Sequence, residues 1–443
     1  MEPLISVIIW TYGTSHVFFK ECMDSLAAQN YGSYEILIMD ENEDDGIAVM
    51  LREFIAQDKR IRYRKLGHGT GMAYALNTGI HHSKGDLIFI MGQHDRLDER
   101  MLTLLAEAYN ADPMCDVIYT DHDELQGLNR TNPHFKPDFS PELLRHINYI
   151  GDFVALRRES IKSLGTFRET LTAAGVYEFL LRTVEKKAVT LHIPKLLYHL
   201  RITSNGVGSS EIKKAEKKAY REYMTVAEAH IRRMGLTANV EADKKLRFWK
   251  IDYDGSDYRN HHKEYILIRE DGVKVISHDA AARMFGILRQ PDVGIVGGKV
   301  LKRGFRIDNC GYIFDRGGIA YPACHNLGSN AEGYDYRCVI PREVSMVDPG
   351  YCMIDARFYR RAGGFDPALT GRDLMLDLCM KARRAGLRVI YDPFTLVKRG
   401  DTGEVSSKDS NELLMRRWGD VIDEGDPYYN KNLPTGLENY FLY

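Results

Sequence analysis

The sequence predicts an α/β protein: a mixed, mostly parallel sheet flanked by helices, followed by a second, truncated α/β domain. Three observations carry that expectation. Apolar, β-rich runs alternate with helical-period segments over the first hundred residues. The alternation restarts after a polar stretch at residues 254–262. A length of 443 residues also exceeds one ordinary core and suggests two domains.

Residues 4–10 form a continuous apolar run, as expected of a strand covered on both faces. Residues 11–15 are turn-like, with Ser15 placed to cap a helix. Phe18, Cys22, Ser25, Leu26 and Gln29 then follow at helical spacing across residues 17–29. A second buried strand at 35–39 ends at Asp40, and an acidic loop leads into a helix at 47–57. A short strand at 61–65, a helix at 71–82 and an apolar strand at 86–91 complete the rhythm. Such βαβ units bind ligands beyond the carboxyl ends of their strands, which singles out Thr11, Asp40 and the segment Gly92-Gln-His-Asp95.

From about residue 205 to 234 the chain is charged and helical. Lys213, Lys214, Lys217 and Lys218 alternate there with Glu211 and Glu216, the pattern of a solvated helix face. A half-exposed strand at 245–253 precedes the polar stretch. The second pattern then runs as a strand at 265–268, a helix at 279–289, a strand at 293–300, a helix near 374–385 and a strand at 388–391. The domains expected are residues 1–235 and 263–443, joined by a junction at 236–262.

A formal net charge of −2 gives no global field for nucleic acid or an anionic membrane. The seven cysteines form an odd set with no C-x-x-C pair, so neither a zinc site nor a disulfide framework is expected. The first residues lack the features of a signal peptide, and no apolar run approaches the roughly 18 residues of a membrane span. A cytoplasmic protein is expected, with any membrane contact peripheral at the inner face.

Ile5-Ser-Val-Ile-Ile-Trp-Thr-Tyr, followed by the run from Ser25 to Asp40, resembles the opening of glycosyltransferase family 2. Phe135-Lys-Pro-Asp-Phe-Ser-Pro, Asn148-Tyr-Ile-Gly151 and Ile193-Pro-Lys-Leu-Leu-Tyr-His199 are similar to a branch that makes bacterial surface polysaccharides, often with tandem transferase domains. Gln290-Pro-Asp-Val-Gly-Ile-Val-Gly-Gly, Gly363-Gly-Phe-Asp366 and Arg417-Trp-Gly look like the closing part of the second domain. Only about a dozen residues separate the junction strand from Tyr265, too few for the βα units of a nucleotide-binding half. The second domain is therefore read as a truncated accessory, whose open sheet edge favours docking or oligomerisation.

The resemblance implies a GT-A fold, a nucleotide-sugar donor, a glycan or lipid-linked glycan acceptor, and transfer with inversion. It also admits a homo-oligomer or a partner transferase. Thr11, Asp40 and Asn77 match donor-side positions, although Asn77 is equally a polar helix residue. Asp121 and Asp123 match acceptor-side positions and equally suit turn acids.

The family's Asp-x-Asp pattern, which holds Mg²⁺ or Mn²⁺ against the diphosphate, falls on Gly92 and His94, with Asp95 adjacent. His94, Asp95 and His199 are thus the metal candidates, a set that suits Mn²⁺ better than Mg²⁺. The carboxylate base position falls on Val176. Glu178 stands two residues on and would need a shifted helix start to replace it, and Asp95 is the other catalytic candidate. Three readings follow: an active transferase, a pseudo-transferase that binds or scaffolds without turnover, and a nucleotide-sugar-dependent regulator.

Overall fold

The computed structural model describes residues 2–202, 210–245, 247–400, 406–436 and 440, and nothing of the side chains of 210–213. It divides into two compact units. Unit 1 is residues 1–139 and 148–234; unit 2 is residues 140–147 and 235–443.

In chain order the first elements are β1 (Ile5–Thr11), α1 (His16–Ala27), β2 (Tyr34–Asp40), α2 (Gly46–Gln57), β3 (Ile61–Lys65), α3 (Gly71–His82) and β4 (Leu87–Gly92). Then come β5 (Arg96–Leu97), α4 (Met101–Ala111), β6 (Val117–Gln126), β7 (Asn129–His134) and α5 (Pro141–His146), the last belonging to unit 2. Unit 1 closes with β8 (Ala155–Arg157), α6 (Arg158–Leu164), α7 (Gly175–Lys186), β9 (Thr190–Arg201) and α8 (Ser210–Arg233). Along α8, Lys214, Lys217 and Lys218 are exposed, as a solvated face requires; Glu211 and Lys213 lie outside the described side chains.

The sheet of unit 1 runs β3-β2-β1-β4-β8-β6-β9-β5. Strands β3, β2, β1 and β4 are mutually parallel, while β8 is antiparallel to both β4 and β6. This is the mixed, mostly parallel sheet that the sequence led us to expect. Strands β1, β2 and β4 are buried on both faces because helices cover both. Ile5, Val7 and Ile9 of β1 join Phe19, Met23 and Leu26 of α1 and Leu51 of α2 in one core. On the other face α3 packs so closely that a Cβ on Gly79 would lie 2.6 Å from Cγ2 of Ile8. Each large apolar side chain fully buried in this way contributes about 1.5–3 kcal/mol.

Unit 2 begins with the hairpin β10 (Ala238–Ala242) and β11 (Trp249–Tyr253), within the stretch read as a junction. It continues through β12 (Tyr265–Arg269), β13 (Lys274–Val275), α9 (Ala280–Leu288), β14 (Val293–Leu301), β15 (Ile307–Asn309), β16 (Tyr312–Phe314), β17 (Ala320–Pro322) and β18 (Arg342–Glu343). It ends with β19 (Tyr351–Asp355), α10 (Ala356–Arg361), α11 (Gly371–Arg384), β20 (Arg388–Lys398) and α12 (Lys408–Asp423). Its main sheet runs β12-β19-β14-β20-β13, and β14–β20 is the one parallel pair of this unit among the described residues. One sequence expectation is corrected here. The cysteines are not simply scattered, because Cys310, Cys324 and Cys338 meet in the interior of unit 2.

The short helix α5 supplies unit 2 with a buried polar centre. Glu142, fully buried, accepts from Arg145 Nη1 (2.9 Å), Tyr253 Oη (3.0 Å) and Gln290 Nε2 (3.2 Å), and Arg388 Nη1 stands 3.3 Å away. Arg388 also bonds Asp292 and Glu343. Burial opposes the Glu142 charge, yet His146 and the two guanidiniums hold its carboxyl well below the ordinary 4.5. Removing one partner of such a buried set strands the rest, so Glu142→Ala is expected to cost about 3–5 kcal/mol by urea unfolding. The unfolded chain protonates Glu142 first. The contribution is therefore full above about pH 5 and fades as pH falls, and the wild-type-minus-variant gap should shrink in acid.

Candidate functional site

The carboxyl ends of β1, β2 and β4 lie side by side, with Thr11 in register with Asp40 and Trp10 with Gly92. One hydrogen-bond network joins these ends. Thr11 Oγ1 donates to Asp40 Oδ1 (2.9 Å), and Asn42 adds its amide (3.0 Å) and Nδ2 (2.8 Å) to the same oxygen. Tyr63 Oη (2.7 Å) and Lys65 Nζ (3.3 Å) meet Oδ2. Burial acts against the Asp40 charge, but the donors from Asn42, Tyr63 and Thr11 outweigh it and hold its carboxyl below the ordinary carboxylate range. Thr14 Oγ1 donates to Gln93 Oε1 (2.5 Å), whose side chain also clamps the backbone of Tyr12. The Ser15 amide donates to His94 Nε2 (3.0 Å), which fixes that nitrogen as an acceptor and the ring as neutral. Burial, then Arg201, shifts the His94 pKa downward in agreement.

Strand β9 clasps the turn at 92–95. Asp95 is turned inward, where Tyr198 Oη donates to Oδ2 (2.5 Å) and the Arg201 amide to Oδ1 (2.9 Å). Burial raises the Asp95 pKa against the pull of these donors. A Cβ on Gly92 would stand 2.1 Å from Asp95 Oδ2, so the inward carboxylate occupies space that only glycine leaves. Arg201 completes the clasp. Its Nε donates to the His94 carbonyl (2.9 Å), its Nη2 pairs with Glu21, and its guanidinium lies 4.3 Å over the Phe18 ring.

The remaining candidates are distributed elsewhere. His199 Nδ1 donates to Asp123 Oδ1 (2.7 Å), and Arg130 Nε donates to the other oxygen (2.7 Å). Burial opposes ionisation of Asp123, and these two partners lower its pKa nonetheless. Asp121 is buried and accepts from His192 Nε2 (2.9 Å) and the Lys136 amide (2.9 Å). Asn77 ties α3 to the loop at 167–169 through three hydrogen bonds, and so serves as a cross-link within the fold. Val176 is fully buried near the start of α7. Glu178 pairs with Arg168 (2.8 Å) and Arg182 (3.0 Å), so its oxygens face guanidiniums and not an incoming hydroxyl.

Thr11, Asp40, His94 and Asp95 therefore share one continuous edge, which β9 closes; Asn77 and Glu178 do not join it. The donor set does not fit a hard divalent cation. Gly92 offers no ligand, both Asp95 oxygens are engaged, and His94 Nε2 accepts from Ser15, so the nitrogens left to a metal are His94 Nδ1 and His199 Nε2, with no carboxylate oxygen free beside them. Among the described residues, no three donors of this edge come within 4.8 Å of one another. An open groove of about 570 Å³ does exist in unit 2, among Arg289, Arg357, Arg360 and Arg361, but none of the sequence candidates lines it.

Tyr12 was missed in the sequence. Its ring is 49% exposed at the end of β1, stacked on Trp10 at 5.7 Å and tilted against His68 at 6.4 Å. The signal available was an aromatic residue directly after a strand, where a ligand would lie.

This arrangement can be set against known proteins. Residues 6–165 match the family model described as Glycosyl transferase family 2. They are a glycosyl transferase family 2 domain. The chain is 27% identical, over 99% of its own length and 58% of the relative's, to the "Uncharacterized protein y4gI" of Sinorhizobium fredii. It is 33% identical to the "O-antigen biosynthesis protein RfbC" of Myxococcus xanthus, over 56% of this chain and 19% of that one. The chain thus spans less than two thirds of the length of either relative. Among solved structures it is similar to TarS 1–349 of S. aureus, with a TM-score of 0.41 and 16% identity, covering 52% of this chain and 65% of that one.

Of the positions where these residues depart from the family pattern, Gly92 is linked through space to Asp95. Gly92→Ala should destabilise the chain by about 1–3 kcal/mol through overpacking against Asp95. In an Asp95→Ala background the same change should become near neutral. Chemical denaturation of the four proteins measures the coupling.

Proposed function

We propose that this chain serves the assembly of a bacterial surface polysaccharide as a family 2 glycosyltransferase-type protein that binds a nucleotide sugar without the family's metal-and-carboxylate chemistry. The observation that carries the proposal is the inward Asp95. The turn that should present carboxylates to a diphosphate-bound cation instead holds its one carboxylate on Tyr198 and Arg201. The base position agrees, since Val176 takes no proton and Glu178 is held by arginines.

Binding rests on what the edge still offers. The exposed Tyr12 ring is a stacking surface for a nucleobase, next to an edge fixed by Thr11, Asp40 and Gln93. Unit 2 is read as an accessory domain because its one parallel strand pair among the described residues supplies no run of βα units for a nucleotide. A homo-oligomer or a partner transferase would then complete the work on a glycan or lipid-linked acceptor.

A second reading is favoured by the family match and by relatives named for O-antigen biosynthesis and as "Chondroitin synthase". In it the chain itself transfers the sugar, with inversion, once Asp95 swings out to serve a divalent ion.

The two readings separate in one experiment. A panel of nucleoside diphosphates and nucleotide sugars is tested for thermal stabilisation of the full chain, and turnover is measured with Mn²⁺. The proposal expects stabilisation without turnover. Tyr12→Ala should weaken binding about tenfold, since a stacked base is worth about 1–3 kcal/mol. Mn²⁺-dependent transfer abolished by Asp95→Asn would establish the second reading, and no stabilisation by any member of the panel would contradict both.

A further inference from the structure

Cys310, Cys324 and Cys338 look unrelated in the sequence, yet unit 2 brings them together. Their Sγ atoms all lie within 4.8 Å of one another, and all three residues are fully buried. They arrive from separate segments: Cys310 between β15 and β16, Cys324 just after β17, and Cys338 ahead of β18. The backbone holds them there. The Cys310 amide donates to the Ala323 carbonyl (3.0 Å), and the Cys338 amide to the Glu332 carbonyl (3.0 Å). Cys324 adopts φ 59°, a left-handed conformation rare for a residue with a side chain. A Cβ on Gly333 would stand 2.5 Å from the Cys338 sulfur, so glycine leaves the thiol its room.

A second, independent observation concerns charge. Arg337 and Arg342 are 3% and 2% exposed, and among the described residues neither is paired with a carboxylate. Arg342 donates only to the carbonyls of Arg337, Glu343 and Cys310, and Arg337 Nε has no hydrogen-bond partner. A buried guanidinium without a counter-charge is costly. Neutral thiols supply none. Three thiolates around a divalent cation carry a net −1 and supply the missing anion beside these arginines.

The local architecture gives such a link a purpose. Strands β15, β16, β17 and β18 are only two or three residues long, so few ladder hydrogen bonds hold this part of the unit. A metal closing three segments compensates for that deficit. The donor chemistry selects the ion, since an all-thiolate set favours zinc over hard cations. Zinc–sulfur bonds of about 2.3 Å in a tetrahedron place sulfurs about 3.8 Å apart, within reach of the observed cluster.

We infer that Cys310, Cys324 and Cys338 form a buried structural zinc site, three thiolates as ligands and a fourth position for a water or small ligand. The site is separate from the edge in unit 1 and does not depend on the function proposed for it.

The test uses the full chain, loaded with Zn²⁺, desalted and measured by inductively coupled plasma mass spectrometry. About one zinc per chain is expected. It should fall roughly tenfold in Cys310→Ser/Cys338→Ser and persist in Cys352→Ala, a buried cysteine outside the cluster. Because the double variant could fail to fold, Co²⁺ replaces zinc in the unaltered chain, where a thiolate-to-cobalt charge-transfer band is expected. Substoichiometric zinc with no such band would overturn the inference. So would a disulfide between two of the three cysteines, seen as two missing thiols in the unfolded, unreduced chain.

Discussion

The geometry of the candidate site depends on one buried carboxylate. Asp95 lies between the Tyr198 hydroxyl and the Arg201 amide, in space that exists because residue 92 has no side chain. Burying that group without those donors would cost several kcal/mol, so its place fixes β9 against the turn. From there the order of the edge follows. Arg201 holds the His94 carbonyl, His94 receives the Ser15 amide, and Gln93 clamps Tyr12 and Thr14.

Buried acids engaged by protein donors recur around unit 1. Asp40 is bonded by Thr11, Asn42, Tyr63 and Lys65, Asp123 by His199 and Arg130, and Glu178 by arginines. Each is a residue type that could bind a sugar donor, a cation or a proton, and each is engaged with its own protein. These acids tie the loops beyond the sheet to one another and to their own strands.

Much of the architecture was legible from residue pattern. The strand at 61–65 and the helix at 71–82 match β3 and α3 residue for residue, and β1, β2 and β4 differ from the expected runs by one residue at each end. Buried parallel strands write themselves as unbroken apolar runs, and such runs are hard to mistake. Spacing reveals less about direction. Sequence placed Asp95 beside the family's metal positions but could not show that the missing side chain at Gly92 lets it fold inward. Glu178 carried the right chemistry two residues from the base position, while its arginine partners, 168 and 182, became visible only through packing. The cysteines at 310, 324 and 338 lack any short motif because three separate segments deliver them. Likewise α5 reads as part of the first domain by sequence order, yet its buried Glu142 is satisfied within unit 2.

The central claim is that the 92–95 turn has traded cation binding for internal structure. Electron paramagnetic resonance of Mn²⁺, titrated with the full chain and a saturating nucleoside diphosphate, tests it most directly. The account predicts that Mn²⁺ partitions as it does with the nucleotide alone, and identically for wild type and Asp95→Asn. A tight protein-held Mn²⁺ signal that vanishes in Asp95→Asn would contradict it.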